Sequence, residues 1–405
     1  MMYFTLSWRN IWRNKRRTLI VIASVFFAVI LACVMRSGQL GSYAYMIDSS
    51  AKLFTGYLQV QGKGYWENRS IDKSIHLSDK TLATISDIPH VTNYTLRLEA
   101  YTLVSEKTMT KVAEVVGINP DLETKMTQLK ERVVEGKYLT KSSRGILLAD
   151  GLAKVLNVQT GDSIALLGQG YHGQTAAALL KIEGLVKLPF EEMNNGLVFM
   201  SLPQAQSVFA TGNRITSMAI MIENINDLEG ILPRVKDQLD ENSVIMTWDE
   251  MMPDLVQNIQ LDNASGLIMI SILYIVIAFG VFGTVMMMIS ERIREFGILI
   301  SVGMKKIRLI LVSFIETIWV SFLGVIIGIG GSIPIIYYLH NNPLNISGEG
   351  AQVFDSLGIE PIMMFSTDFF IFFYQALVVF IIALATAVYP ILFIRSLQPA
   401  EAIRK

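Results

Sequence analysis

With a single cysteine, Cys33, the chain can make neither an intrachain disulfide nor a cysteine-built zinc cluster. Its four histidines, His76, His90, His172 and His340, are scattered, with no HExxH pair and no acid at ligand spacing, so no metal site is expected. Charge is scarce as well. Asp, Glu, Lys and Arg make up 17 % of the residues and sum to −1, which leaves no basic field for nucleic acid. No GxSxG elbow surrounds a serine, and the absence of any catalytic constellation predicts a protein that is not itself an enzyme. The stretch GQGYHGQT, residues 168–175, has the glycine spacing of a phosphate loop, but Gln174 stands where that loop needs a lysine. It reads as a turn, and no cofactor is expected in this chain.

Apolar residues are what the chain has in quantity. They make up 52 % of it, and the mean hydropathy of +0.44 is that of an integral membrane protein. Residues 18–35 carry no charge and reach about 27 Å as a helix, and residues 263–290 form a longer uncharged run. Residues 309–340 carry one acid, Glu316, and residues 369–394 carry none. Each run can span a bilayer, and residues 36–262 hold no comparable one.

The flanks set an expected orientation. Arg9, Arg13, Lys15, Arg16 and Arg17 precede the first run without an acid; Arg292, Arg294, Lys305, Lys306 and Arg308 lie between the second and third; Arg395, Arg404 and Lys405 follow the fourth. Residues 341–368 hold Glu349, Asp355, Glu360 and Asp368 and no Lys or Arg. Basic flanks face the cytoplasm, so both termini are expected inside and residues 38–262 outside. The first run is long for a cleaved signal peptide and lacks a small-residue cleavage site, so it is expected to stay as an anchor.

Residues 4–17 place Phe4, Trp8, Ile11 and Trp12 on one helical face and Arg9, Arg13 and Arg16 on the other. That pattern predicts a helix in the cytoplasmic interface, with Trp8, Arg9, Trp12 and Arg13 among the headgroups of the membrane lipids. The region 38–262, about 225 residues, is enough for one large or two smaller lobes. Strand-like TGYLQVQG and TKVAEVVGI are interleaved with RGILLADGLAKVLNV and GLVFMSLPQAQSVFA, each a strand followed by a helix. INDLEGILPRVKDQLDE reads as a helix capped by Asn226 or Asp227. Such mixed order predicts an α+β domain, and residues 38–53 and 248–262 read as helical stalks that continue the flanking runs.

Glu316 costs about 2.5 to 3.5 kcal/mol to bury at the bilayer centre, which makes it a functional candidate. Its place near the basic flank also lets it reach the interface or a neighbouring helix. Gly324 and Gly328 make a GxxxG step that permits close helix approach, within one subunit or between two. The segment SERIREFGILISVGMKKIRL, residues 290–309, is too short and too interrupted to cross the membrane. Its charged ends enclose an apolar middle, with Gly297 and Gly303 as flexible points. A short helix there would present Phe296, Ile298, Leu299 and Met304 as an apolar knob with a basic rim, a shape that fits a groove in another protein.

The order Glu-Arg-x-x-Glu-Phe-Gly-Ile-Leu-x-x-x-Gly at residues 291–303 resembles the coupling segment of the FtsX-like, MacB-type permeases of ABC transporters. LSWRNIWRNKRRT resembles the helix that leads these permeases into the membrane, GILLADGLAKVLNVQTGDSIALL a recurring piece of the MacB-type periplasmic domain, and IRSLQPAEAIRK their usual ending. The resemblance implies a type VII ABC system. In it two permeases, this chain and an identical or related second copy, each bind a cytoplasmic ATPase subunit that holds ATP and Mg, and the motion is delivered to a periplasmic domain. It implies ATPase coupling by Arg294, Glu295, Phe296, Gly297, Leu299, Gly303 and Met304. The layout is similar to the lipoprotein-releasing permeases LolC and LolE, which implies extraction of lipoprotein or lipid from the inner membrane. Efflux of a peptide or drug, mechanotransmission to a cell-wall hydrolase, and a membrane sensor or scaffold without an ATPase are the other readings.

The expected fold is an α-helical membrane protein of the bacterial inner membrane. Four transmembrane helices carry a large α+β periplasmic (MacB-like) domain inserted between helices 1 and 2. In order, the parts expected are an interfacial helix at 1–17, a first span at 18–37, the inserted domain with its stalks at 38–262 and a second span at 263–290. A coupling helix at 291–308, a third span at 309–340, a periplasmic loop at 341–368, a fourth span at 369–394 and a tail at 395–405 complete it.

Overall fold

A computed structural model describes residues 15–107, 109–348, 351–352, 354 and 358–398. The expected interfacial residues Trp8, Arg9, Trp12 and Arg13, the loop acids Glu349 and Asp355, and the ending from residue 399 lie outside the described residues. The chain forms two compact units, one of apolar helices and one made of Met46–Gln257 with Ser347–Pro361.

The apolar helices are α1 Lys15–Ser50, α2 Pro253–Ser290, α3 Ile293–Ser301, α4 Lys306–Asn341, α5 Phe369–Thr386 and α6 Val388–Ser396; residues 46–50 of α1 and 253–257 of α2 belong to the second unit. Among the described residues four stretches, Thr18–Thr55, Pro253–Met287, Lys306–Asn341 and Phe369–Ser396, are long and apolar enough to cross a membrane. At 36 and 38 residues, α1 and α2 far exceed the roughly 20 that a bilayer needs, so each continues as helix beyond its apolar run. The fourth apolar run is jointed where a single helix was expected. Pro390 has no N–H to offer the carbonyl of Thr386, and the helix breaks there into α5 and α6.

Glycine lets α1 and α4 meet closely. A Cβ on Gly324 would lie 2.7 Å from the Cβ of Val25, and one on Gly328 would lie 2.7 Å from that of Val29. The GxxxG step therefore packs two helices of the same chain. Val25, Val29, Ala32, Val379 and Ala383 fill the helical core.

The inserted domain has ten described strands: β1 Leu58–Gly62, β2 Val91–Glu106, β3 Met109–Ile118, β4 Val133–Gly136, β5 Ile146–Ala149, β6 Ser163–Gln169, β7 Thr175–Val186, β8 Leu197–Ser201, β9 Ser217–Ile222 and β10 Ser243–Thr247. The 16-residue β2 joins two parts. Its first half pairs with β9, which leads to β1 and then β10. Its second half pairs with β6, and the ring β2, β6, β7, β5, β8, β3 returns to β2 as a closed barrel. Closure removes exposed edges, and period-two alternation fills the inside: Ile164 and Leu166 of β6 are buried while Ala165 and Leu167 are exposed. GQGYHGQT is the turn between β6 and β7, where the Gly170 N–H donates to the Gln174 carbonyl. The helix Leu228–Lys236 takes no side-chain cap from Asn226 or Asp227. Asn224 starts the turn before it, accepting from the Asn226 N–H at 3.0 Å.

Candidate functional site

The segment between α2 and α4 is where the chain departs from simple spans. α3 has nine residues, a narrower extent than the 291–308 expected. Gly303, at φ +100°, ends it: the Met304 N–H donates to the Leu299 carbonyl and the Gly303 N–H to the Ile300 carbonyl, both at 3.0 Å. This double closure is a Schellman stop, which needs the left-handed backbone that glycine adopts freely. Gly303 therefore fixes the helix end, and Gly297 lies buried inside the helix, so neither is the flexible point expected. Lys306 Nζ donates to the Arg395 carbonyl at 3.1 Å, tying the start of α4 to the end of α6.

Arg292 caps α3 and is 6 % exposed. Its Nη1 donates to Glu316 Oε2 at 2.8 Å, its Nε to Glu295 Oε2 at 3.4 Å, and its guanidinium carbon lies 5.4 Å from the centre of the Phe296 ring. Glu316 is 3 % exposed. A buried carboxylate persists when paired and hydrogen-bonded, and this pair fastens the start of α3 to the interior of α4. In the sequence Arg292 stands only as one cation of a basic flank. The signal that could have found it was a lone acid lying close to a run of cations in a region that tolerates neither unpaired.

The expected knob changes composition. Phe296 is 3 % exposed and sits in the helical core with Ile289 and Leu309, and Met304 is half-buried against the same core. The outward apolar residues are Ile298, Leu299 and Val302, the last 82 % exposed. Helical spacing explains the division, since 296, 297 and 300 share one face and 298, 299 and 302 another. Arg294, Glu295, Lys305 and Arg308 are exposed around them.

A second polar cluster sits at the other end of the spans and was not foreseen. Arg36 Nη1 donates to Gln39 Oε1 at 2.6 Å and to Asn263 Oδ1 at 3.0 Å, and Tyr43 donates to Asp262 Oδ2 at 2.6 Å. Ser37 donates to the Ser366 carbonyl at 2.6 Å. Gly41 admits that strand of backbone, because a Cβ there would lie 2.4 Å from the Met364 oxygen. These bonds join α1 to α2 and to the segment before α5.

In the inserted domain Glu99 accepts from Tyr65 Oη at 2.6 Å and Ser217 Oγ at 2.9 Å. Glu114, on the neighbouring β3, is pushed up to about 7, first by burial and then by the charge of Glu99, against the pull of Arg69 and Arg97. On the outside of the barrel Val112, Leu103, Leu167 and Ala177 stand in register as one apolar row. Among the described residues no group of three His, Cys, Asp or Glu side chains converges as a metal site.

Four stretches of helix long and apolar enough to cross a membrane, a large α+β domain inserted after the first, and a short helix fastened between the second and third make up the described chain. Residues 267–399 match the family model of the FtsX-like permease C-terminal domain, so this part of the chain is an FtsX-like permease domain. It is 21 % identical over 301 residues to the lipoprotein-releasing system transmembrane protein LolC of Xylella fastidiosa, covering 71 % of this chain and 72 % of that one. It is 23 % identical over 364 residues to the macrolide export ATP-binding/permease protein MacB of Campylobacter jejuni, covering 82 % of this chain and 53 % of that one, so it spans about half of MacB. Among solved structures, the periplasmic region of MacB from Actinobacillus actinomycetemcomitans aligns with 51 % of this chain and 95 % of its own length, at 16 % identity and a TM-score of 0.37.

Proposed function

We propose that the chain is the membrane subunit of a type VII ABC transporter. A separate cytoplasmic ATPase, which holds ATP and Mg, acts on α3, and α1 and α2 carry the motion to the inserted domain on the periplasmic side. The observation that carries this reading is the seat of α3. Arg292 fastens its start to Glu316 inside α4, so a push on α3 is a push on the span. Ile298, Leu299 and Val302, rimmed by Arg294, Lys305 and Arg308, offer the apolar face and cationic edge that a groove on the ATPase would receive. Arg294, Glu295 and Leu299 touch the partner in this arrangement, Phe296 and Met304 anchor α3 inward, and Gly297 and Gly303 give it its shape. Both termini are cytoplasmic, and a second permease copy completes the complex.

The cargo is a lipoprotein or lipid drawn from the inner membrane, a reading supported by the likeness to LolC across 71 % of the chain. The likeness to MacB across 82 % of it favours a second reading, efflux of a peptide or drug. Purification from native membranes in mild detergent tests both. An ATPase subunit with Walker motifs and acylated proteins is the expected company. A different partner with no ATPase overturns the transporter reading in favour of a sensor or scaffold, and an ATPase with bound peptide or drug but no acylated protein selects efflux.

A further inference from the structure

The end of α1 enters the inserted domain through a specific joint. After Ser50 the chain winds into one π-helical turn, Ala51–Thr55, closed by the Gly56 N–H on the Ala51 carbonyl at 2.9 Å. Such turns are rare and gather at functional positions. Gly56, at φ +75°, then turns the chain into β1, and a Cβ there would lie 2.9 Å from the Ile220 oxygen, so glycine alone fits.

One guanidinium grips this turn. Arg97 of β2 is fully buried; its Nη1 donates to the Phe54 carbonyl on the π turn, and its guanidinium carbon lies 4.1 Å from the centre of the Phe54 ring. Nη2 and Nε donate to the two oxygens of Glu123 at 2.6 and 3.1 Å, and Thr95 Oγ1 adds a third bond to that carboxylate at 2.9 Å. Glu123 sits on the short helix Pro120–Thr127 and is 1 % exposed. Arg97 therefore joins the continuation of α1, the central strand and a covering helix. The same joint is tied at its far side, where Tyr57 donates to Asp48 Oδ1 at 2.8 Å and its carbonyl accepts from the Trp248 N–H at 2.9 Å.

A buried ion pair is a poor way to gain stability, since apolar side chains of similar volume often do as well or better. What the fork supplies is fixed direction, three elements held at set angles to one rigid plane. We infer that Arg97 is the positioning residue that makes the outer end of α1 and the β-sheet move as one body. This rests on the reading of the chain as an ATP-driven permease.

The test uses the full complex with Cys33→Ser throughout, spin-labelled at Leu179→Cys, and follows the distance from that label to its counterpart in the second permease copy. A second pair, Lys52→Cys with Leu179→Cys in one chain, reads the joint itself. The double variant Arg97→Met with Glu123→Met removes both charges and keeps apolar volume; Arg97→Lys keeps the charge and loses the fork. Wild type is expected to show an ATP-dependent shift between copies and a narrow Lys52–Leu179 distribution. In both variants ATP hydrolysis persists, the shift between copies is lost and the Lys52–Leu179 distribution broadens. Variants that keep the full shift and the narrow distribution overturn the inference. A wild-type complex that hydrolyses no ATP, or shows no shift with it, overturns the permease reading itself.

Discussion

Arg292 and Glu316, 24 residues apart in sequence, meet at 2.8 Å with both side chains buried. The one acid within the four apolar runs is thus placed to anchor the helix that precedes its span. That pair and the inward packing of Phe296 tie α3 to α4.

Breaking one half of the pair is expected to be worse than removing both. Glu316→Gln leaves a buried guanidinium short of its counter-charge and should cost about 3 to 5 kcal/mol, whereas Arg292→Met with Glu316→Met should recover most of the loss. Thermal unfolding of the purified chain, run as a double-mutant cycle, measures the difference. Wild-type stability in Glu316→Gln would show that the charge is not used.

Val302→Asp and Leu299→Asp change outward residues and should leave stability within about 0.5 kcal/mol while abolishing recovery of the ATPase. Phe296→Asp puts a charge into the core and should cost about 3 to 5 kcal/mol or more, so that little folded protein is obtained. Equal effects at the buried and the exposed positions would mean that α3 is not seated as described.

Gly328→Leu should force α1 and α4 apart, because even a Cβ meets Val29 at 2.7 Å, with an expected loss of about 1 to 3 kcal/mol. Gly330→Ala is the control, as nothing lies within 4 Å of its Cβ direction, and should be neutral or slightly stabilising. Thermal shifts of the two variants side by side decide the matter.

Glu114 sets a pH dependence in the inserted domain. Its folded value is raised to about 7 from an ordinary 4.5, so the folded state holds the proton more tightly than the unfolded chain does. The contribution is fully present below the ordinary value and is lost as pH rises through about 7. Glu114→Gln should therefore gain up to about 3 kcal/mol on wild type at pH 8 and match it near pH 4, read by denaturant unfolding of the full chain.

How much of this was legible follows the range of the interactions. The apolar runs and the alternation in β6 announce themselves locally, and the turn between β6 and β7 is marked by its glycines. Barrel closure is not, because β2 meets β6 across an intervening stretch that holds three other strands. Arg97, within a strand-like TLRLEAY, has the look of a solvent-facing cation; only Glu123, 26 residues on, makes its burial possible. α3 shows the same limit in miniature. Its apolar residues were visible, but which of them face inward depended on where Arg292 found its partner. The overlong α1 keeps Arg36 at the edge of its apolar run because Asn263, 227 residues away, accepts from it.

A photo-cross-linking residue in place of Val302, activated in intact membranes, tests whether α3 is the surface on which an ATPase acts. A single covalent product with an ATPase subunit carrying Walker motifs is expected, lost when Leu299→Asp is added. Cross-links to lipid alone, in membranes where the ATPase is present and is captured from other positions of the chain, would contradict it.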